Sequence, residues 1–222
     1  EAGALAVLDR LRAVRNLAFA DPETGLPNRR AFEERAGAAL ASGPPPGSLG
    51  HALLLIDLDR FKDINEDYGH ATGDKLMRLI GERIGAWLGD GALVARIGGD
   101  EFAVLVPVAP AFPPARLASD LVAAMRQSFR IGDYQIAVTL SIGLVTAARD
   151  QGDDVTLLLN RAELALVAAK QAGRNRAIGF TPDLEEERDL ERALERDLAS
   201  ALADGGLRMV YQPILPVAAE AQ

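Results

Sequence analysis

The sequence contains no cysteine and only two histidines, His51 and His70. Without thiols there is no disulfide framework, no thiolate zinc centre and no cysteine nucleophile, and the chain suits a reducing compartment. Two imidazoles exclude a multi-histidine metal site. Any metal must rest on carboxylates, a donor set that fits magnesium, manganese or calcium. Lysine is scarce, at Lys62, Lys75 and Lys170, and acidic residues outnumber basic ones 32 to 24, for a net charge of −8. Non-specific nucleic-acid binding runs on phosphate neutralisation, so no nucleic-acid partner is expected. Apolar stretches such as Ala52–Ile56 fall far short of the ~18 residues a membrane span needs. No basic region followed by an apolar stretch opens the chain, so no leader, no membrane contact by this segment and a cytoplasmic location are expected.

What is present is ordinary globular composition, 49% hydrophobic and 25% charged over 222 residues. That length is about half again the ~150-residue prior for one domain. Leu5, Leu8, Leu11, Val14 and Leu17, with arginines between them, predict a short amphipathic helix over residues 3–19, a connector from something upstream. Asn28 follows a Pro- and Gly-containing turn and is a plausible N-cap for a helix through Ala41. Ala52–Leu58 reads as a buried strand, followed by a helix from Phe61 that breaks near Gly69 and resumes over Asp74–Leu88. Trp87 is expected in the core. Leu93–Ile97 and Phe102–Val106 form a hairpin around Gly98-Gly99-Asp100-Glu101. A helix over Pro114–Phe129, a strand over Tyr134–Val145, a helix over Val155–Ala172 stopped by Gly173, and a short strand at Ile178–Phe180 complete the series. Beyond Pro182 come a charged helix, Leu184–Leu202, and a strand-like Arg208–Gln212. This order predicts an α+β domain with a mostly antiparallel sheet.

Asp57 and Asp59 stand at the end of the apolar strand, where i and i+2 share a face. They are either a solvated turn or a pair of carboxylates delivered to a rim. The hairpin adds Asp100 and Glu101 beside two glycines that leave room for a large ligand. If the strand lies beside the hairpin, Asp57 and Asp100 converge as a divalent-cation site completed by substrate phosphates. Asn65 and Asp74 flank the break at Gly69-His70. As capping residues they would bond backbone amides. As a pair they could read guanine, since a carboxylate accepts from two ring-edge donors and an amide donates to O6. Lys170 and Arg174 end a helix, placed either for its dipole or for phosphate.

In order along the chain, Asp57-Leu58-Asp59-Arg60-Phe61-Lys62, Asn65, Gly69-His70, Gly73-Asp74 and Arg96-Ile97-Gly98-Gly99-Asp100-Glu101-Phe102 resemble the GGDEF family. The opening Thr24-Gly25-Leu26-Pro27-Asn28-Arg29 and the closing Ala169-Lys170-Gln171-Ala172-Gly173-Arg174-Asn175 resemble its end motifs. The resemblance implies a palm-like, ferredoxin-like βαββαβ fold, similar to class III nucleotide cyclases, over residues 21–180. Residues 1–20 would be a connector. The implied activity is condensation of two GTP into cyclic di-GMP, with release of pyrophosphate and with magnesium, or manganese, as cofactor. By the same resemblance Asp57, the Leu58 carbonyl and Asp100 hold the metal, and Asn65 and Asp74 read guanine. Lys62, Lys170 and Arg174 hold the triphosphate, with Lys62 also stabilising the transition state, and Asp100 or Glu101 helps deprotonate the attacking hydroxyl. Each domain takes one GTP, so catalysis requires a homodimer. Departures from the family pattern stand at Glu23, Glu66, Glu163 and Val167, and none is expected to touch the residues assigned to chemistry. Gly89 and Ala92 occupy the positions where product-inhibited members carry an Arg-x-x-Asp site.

The tail, from Leu190-Glu191-Arg192-Ala193-Leu194 to Leu207–Ile214, resembles the start of an EAL phosphodiesterase domain, so 181–222 is expected to be a linker helix and a truncated EAL start. The parent would be a tandem GGDEF–EAL protein, anchored to a membrane, if at all, by regions upstream of this segment. The alternative expectation is a catalytically silent GTP-binding domain that regulates the attached phosphodiesterase.

Overall fold

The computed structural model describes residues 18–148, 154–206 and 210–211. The chain divides into two compact units, one ending at Leu184 and the other starting at Glu185.

In the first unit, Asn28 caps α1 (Arg29–Ser42) by accepting the Ala31 N–H, while its own amide donates to the Ala18 carbonyl. β1 (Gly50–Leu58) follows, then α2 (Phe61–Tyr68) and α3 (His70–Leu88), separated at Gly69. β2 (Leu93–Arg96) and β3 (Glu101–Pro107) form the expected hairpin. After α4 (Pro114–Met125) come β4 (Phe129–Ile131) and β5 (Tyr134–Ile136), then β6 (Leu140–Ala148), α5 (Val155–Gln171) and β7 (Ala177–Gly179). The main sheet runs β2-β3-β1-β6-β7, antiparallel except for the β6–β7 pair. Its first four strands with their crossover helices give the βαββαβ α+β arrangement.

β1 is buried at all nine positions because the sheet is covered on both faces. Leu54, Ile56 and Leu58 pack with Leu76, Met77, Ile80 and Ile84 of α3 and with Leu121 and Met125 of α4. Leu53 and Leu55 pack with Phe32 of α1 and with Leu158, Ala162 and Leu166 of α5. A strand between two helical layers has no polar face, so its sequence reads as a continuous apolar run. α5 lies unusually close: a Cβ on Gly143 of β6 would stand 1.9 Å from the Ala162 carbonyl oxygen.

Three expectations need correction. The helix over Pro114–Phe129 stops at Met125, and Tyr134–Val145 is two strands, because Phe129–Ile131 and Tyr134–Ile136 close a separate hairpin around Gly132-Asp133. Trp87 is 37% exposed; the inward line of α3 passes from Ile84 to Leu88 and leaves Trp87 outside it. Asp59 lies just past the end of β1 yet stays on the face of Asp57, as expected, because Ser141, which opposes Asp57 across the β1–β6 pair, donates to it. The connector helix lies almost wholly outside the described residues, as does most of Arg208–Gln212.

In the second unit, α6 (Pro182–Ala203, which begins just before the boundary) buries none of its residues and exposes Leu190, Leu194, Leu198 and Leu202 at fourfold spacing.

Candidate active site

The site lies at the end of β1, where the chain passes from apolar core to charge. Asp57 faces Glu101 across the β1–β3 pair, and directly opposed residues of an antiparallel pair project to the same face. The Leu58 N–H donates to the Asp100 carbonyl at 3.2 Å, pinning the hairpin to the strand end. Asp57 and Asp100 are thus drawn together as the strand order requires.

Asp57 is nearly buried, and its Oδ2 accepts from Lys170 Nζ at 2.6 Å. Burial pushes its carboxyl above the usual value; the Lys170 charge draws it down, and the Asp100 and Glu101 charges push it further up. The Asp57 and Asp100 carboxylates and the Leu58 carbonyl would offer a cation oxygen donors only. Among the described residues no three acidic or imidazole groups converge as a complete metal cage. Magnesium needs none, being ordinarily held by one or two carboxylates and completed by substrate phosphates and water. A buried carboxylate faced by two further acids and balanced by a single ammonium therefore fits such a cation.

Asp59 does different work. It accepts from Thr139 Oγ1 and Ser141 Oγ, both at 2.7 Å, and from the Asn175 N–H at 3.0 Å. It ties the turn after α5 to the end of the central strand. Arg174 sits in that turn at φ 60°, exposed, its N–H donating to Ala169 O at 3.0 Å, and Gly173 supplies the C′ residue expected there.

A cavity of about 530 Å³ opens beside the hairpin, lined by Glu23, Phe61, Lys62, Asn65, Glu66, His70, Asp74, Arg96, Gly99 and Asp100. Asn65 comes from α2 and Asp74 from α3, so the break at Gly69 folds the two against one space. Neither side chain caps α3, which has no side-chain cap. Asn65 Oδ1 is buried without a hydrogen-bond partner, the condition of a polar group that awaits one. A Cβ on Gly73 would stand 1.9 Å from that oxygen. Lys62 is exposed and pairs with Glu66 at 3.5 Å, so this departure, contrary to expectation, does touch a residue assigned to chemistry. Asp57, Leu58, Glu101, Lys170 and Arg174 do not line the cavity; Asp100 joins the two halves of the site.

Sequence reasoning passed over Arg96 and misjudged Glu23. Arg96 donates to the Gly99 carbonyl from Nε and Nη2, at 3.1 and 2.7 Å, and from Nη1 to Asp21 at 3.1 Å and to Glu23. Burial alone would raise the Asp21 carboxyl, yet hydrogen bonds from Thr24 and Arg96 hold it below the usual value. The departure at Glu23 therefore does reach the cavity, as the partner of a nearly buried guanidinium. An arginine directly before a glycine hairpin, with two acids in the opening turn, was the available signal.

This fold and this arrangement have relatives. The sequence model of the family described as "Diguanylate cyclase, GGDEF domain" matches residues 18–176. The chain is a member of the GGDEF family. The GGDEF domain of TpbB (YfiN) from Pseudomonas aeruginosa superposes with a TM-score of 0.68 at 36% identity, over 78% of this chain and 99% of that one. Among curated proteins, the P. aeruginosa diguanylate cyclase TpbB is 36% identical over 191 residues, 83% of this chain and 43% of that protein. The cyclic di-GMP phosphodiesterase NbdA of the same organism is 37% identical over 212 residues, 95% of this chain. This chain spans only 27% of NbdA's length.

Proposed function

We propose that residues 21–180 form a diguanylate cyclase domain that condenses two GTP into cyclic di-GMP. The observation that carries this reading is the pairing of Asp57 with Glu101 across the strands, with Asp100 next to them lining the same cavity as Asn65 and Asp74. In the cavity Asp74 accepts from the two donors on guanine's ring edge, and the Asn65 amide, turned about its terminal bond, meets O6 and N7 acceptors. Adenine lacks that donor pair and would leave Asp74 unpaired, so ATP is rejected. Lys62, Lys170 and Arg174 are within the segments that would meet the triphosphate.

The 3′-oxygen of one nucleotide attacks the α-phosphorus of the other, the bond to the β-phosphate oxygen breaks, and pyrophosphate leaves. The hydroxyl proton passes to Asp100 or Glu101. A second, symmetric attack closes the ring. Asp57, Asp100 and the Leu58 carbonyl would hold a magnesium or manganese ion, which supplies charge neutralisation at the α-phosphate and favours the ionised hydroxyl. Since each domain carries one nucleotide, two copies must face each other.

A second reading is a silent GTP-binding domain that regulates an attached EAL phosphodiesterase. The likeness of 95% of this chain to a protein named as a phosphodiesterase favours it, with residues 181–222 as the passage into that domain. Incubation of the chain with GTP and magnesium, followed by chromatography of the products, separates the two. Cyclic di-GMP formation that Asp100→Ala reduces by about a thousandfold or more supports the cyclase, that being the scale for removing a group that acts on transition-state charge. GTP binding with no product supports the regulatory reading.

A further inference from the structure

Lys170 has two claims on it: the carboxylate it touches and the phosphates it is proposed to meet. It occupies the last turn of α5, where a cation could extend into solvent and still favour the helix dipole. Instead it turns inward, about a third exposed, to reach Asp57, whose side chain is 9% exposed. Its stem is not free to follow a ligand by moving the helix. α5 is held against β6 by the close approach at Gly143, and its end is fixed by the Gly173 N–H on Lys170 O and the Arg174 N–H on Ala169 O. The ammonium alone can move.

We propose that Lys170 is the domain's own counter-ion for Asp57, occupying in the empty site the carboxylate that a divalent cation takes in the loaded one. This rests on the reading of Asp57 as a metal ligand. A buried carboxylate stripped of its partner is strongly disfavoured, more so with Asp100 and Glu101 beside it. The ammonium therefore keeps the empty strand end stable. A divalent cation arriving alone must displace the ammonium from the carboxylate with which it is paired. A triphosphate arriving alone must draw the ammonium off Asp57 and leave that carboxylate bare. Arriving together, each ligand relieves what the other disturbs, and Lys170 passes from carboxylate to phosphate. Metal and nucleotide binding are thereby positively coupled through one side chain, and by linkage the coupling is the same in both directions.

The test is manganese binding to the whole chain, by electron paramagnetic resonance or calorimetry, with and without a GTP analogue bridged by methylene between the α- and β-phosphates. In the absence of nucleotide Lys170→Met should bind manganese about tenfold more tightly than the wild type, within the usual range of such couplings. The metal-free variant should melt at a lower temperature and be raised further by manganese than the wild type is. Lys170→Gln repeats the measurement with a polar side chain should Lys170→Met fail to fold. Equal or weaker manganese binding by the variants without nucleotide, with normal binding in the presence of the analogue, overturns the exchange and leaves the metal site standing. Absence of manganese binding to either protein, even with the analogue, overturns both.

Discussion

Gly73 shows how a residue with no side chain shapes a binding site. Its α-carbon leaves the space in which the Asn65 amide lies, and any Cβ would overlap Asn65 Oδ1. Gly73→Ala should leave the fold intact, because the displaced atom is the end of a side chain, yet swing the amide away from the base. GTP affinity is expected to fall about three- to tenfold, the worth of one net hydrogen bond. Calorimetric titration with GTP, beside an unchanged melting temperature, checks this. His51 acts on stability instead. It is buried on β1, and burial holds its imidazole below the ordinary value of 6.5. The unfolded chain takes up the proton first as pH falls, so stability is complete above about pH 6.5 and declines below it. Urea unfolding at about pH 7.5 and about pH 5.5 should show a drop in the wild type that is smaller in His51→Leu. An equal drop in both would assign the loss to other groups.

At the scale of the element, the packing of α5 on β6 decides where the cationic end of the helix lies. Gly143→Ala places a methyl against the Ala162 carbonyl, a backbone atom that cannot rotate away. The variant should be destabilised by about 3 kcal/mol or more, the upper range for overpacking, measured by urea unfolding; a loss near zero would mean that α5 shifts freely. Such contacts explain what the sequence could and could not disclose. The β1 run, the Asn28 cap and the glycine hairpin are local signals and were legible. The convergence of Asp57 with Asp100 followed from placing two legible strands side by side. The role of Asp59 was not legible, since Thr139, Ser141 and Asn175 meet it only through the fold. Nor was the reach of Glu23 to Arg96, which are 73 positions apart.

For the whole molecule, the end of α3 bears on how the proposed cyclase would respond to cyclic di-GMP. Gly89 caps α3 with its N–H on Gly85 O, and the Ala92 N–H returns to Gly89 O at 3.3 Å, a tight backbone turn whose one charged side chain, Asp90, is an anion. Where the family resemblance places an arginine and an aspartate in product-inhibited members, this turn has glycine and alanine and no cation with which to hold a phosphodiester. Initial rates of pyrophosphate release should be insensitive to added cyclic di-GMP; a rate that falls as micromolar product is added would contradict this.

Trp87, two residues before that cap, is the only tryptophan of the chain and already meets water. Its emission is therefore a gauge of one spot on the surface rather than of the core. Unfolding will shift that emission less than the loss of structure warrants, and circular dichroism is the sounder monitor of the melts described above. Anything that covers the far end of α3, by contrast, will turn the indole blue without any change in the fold beneath it.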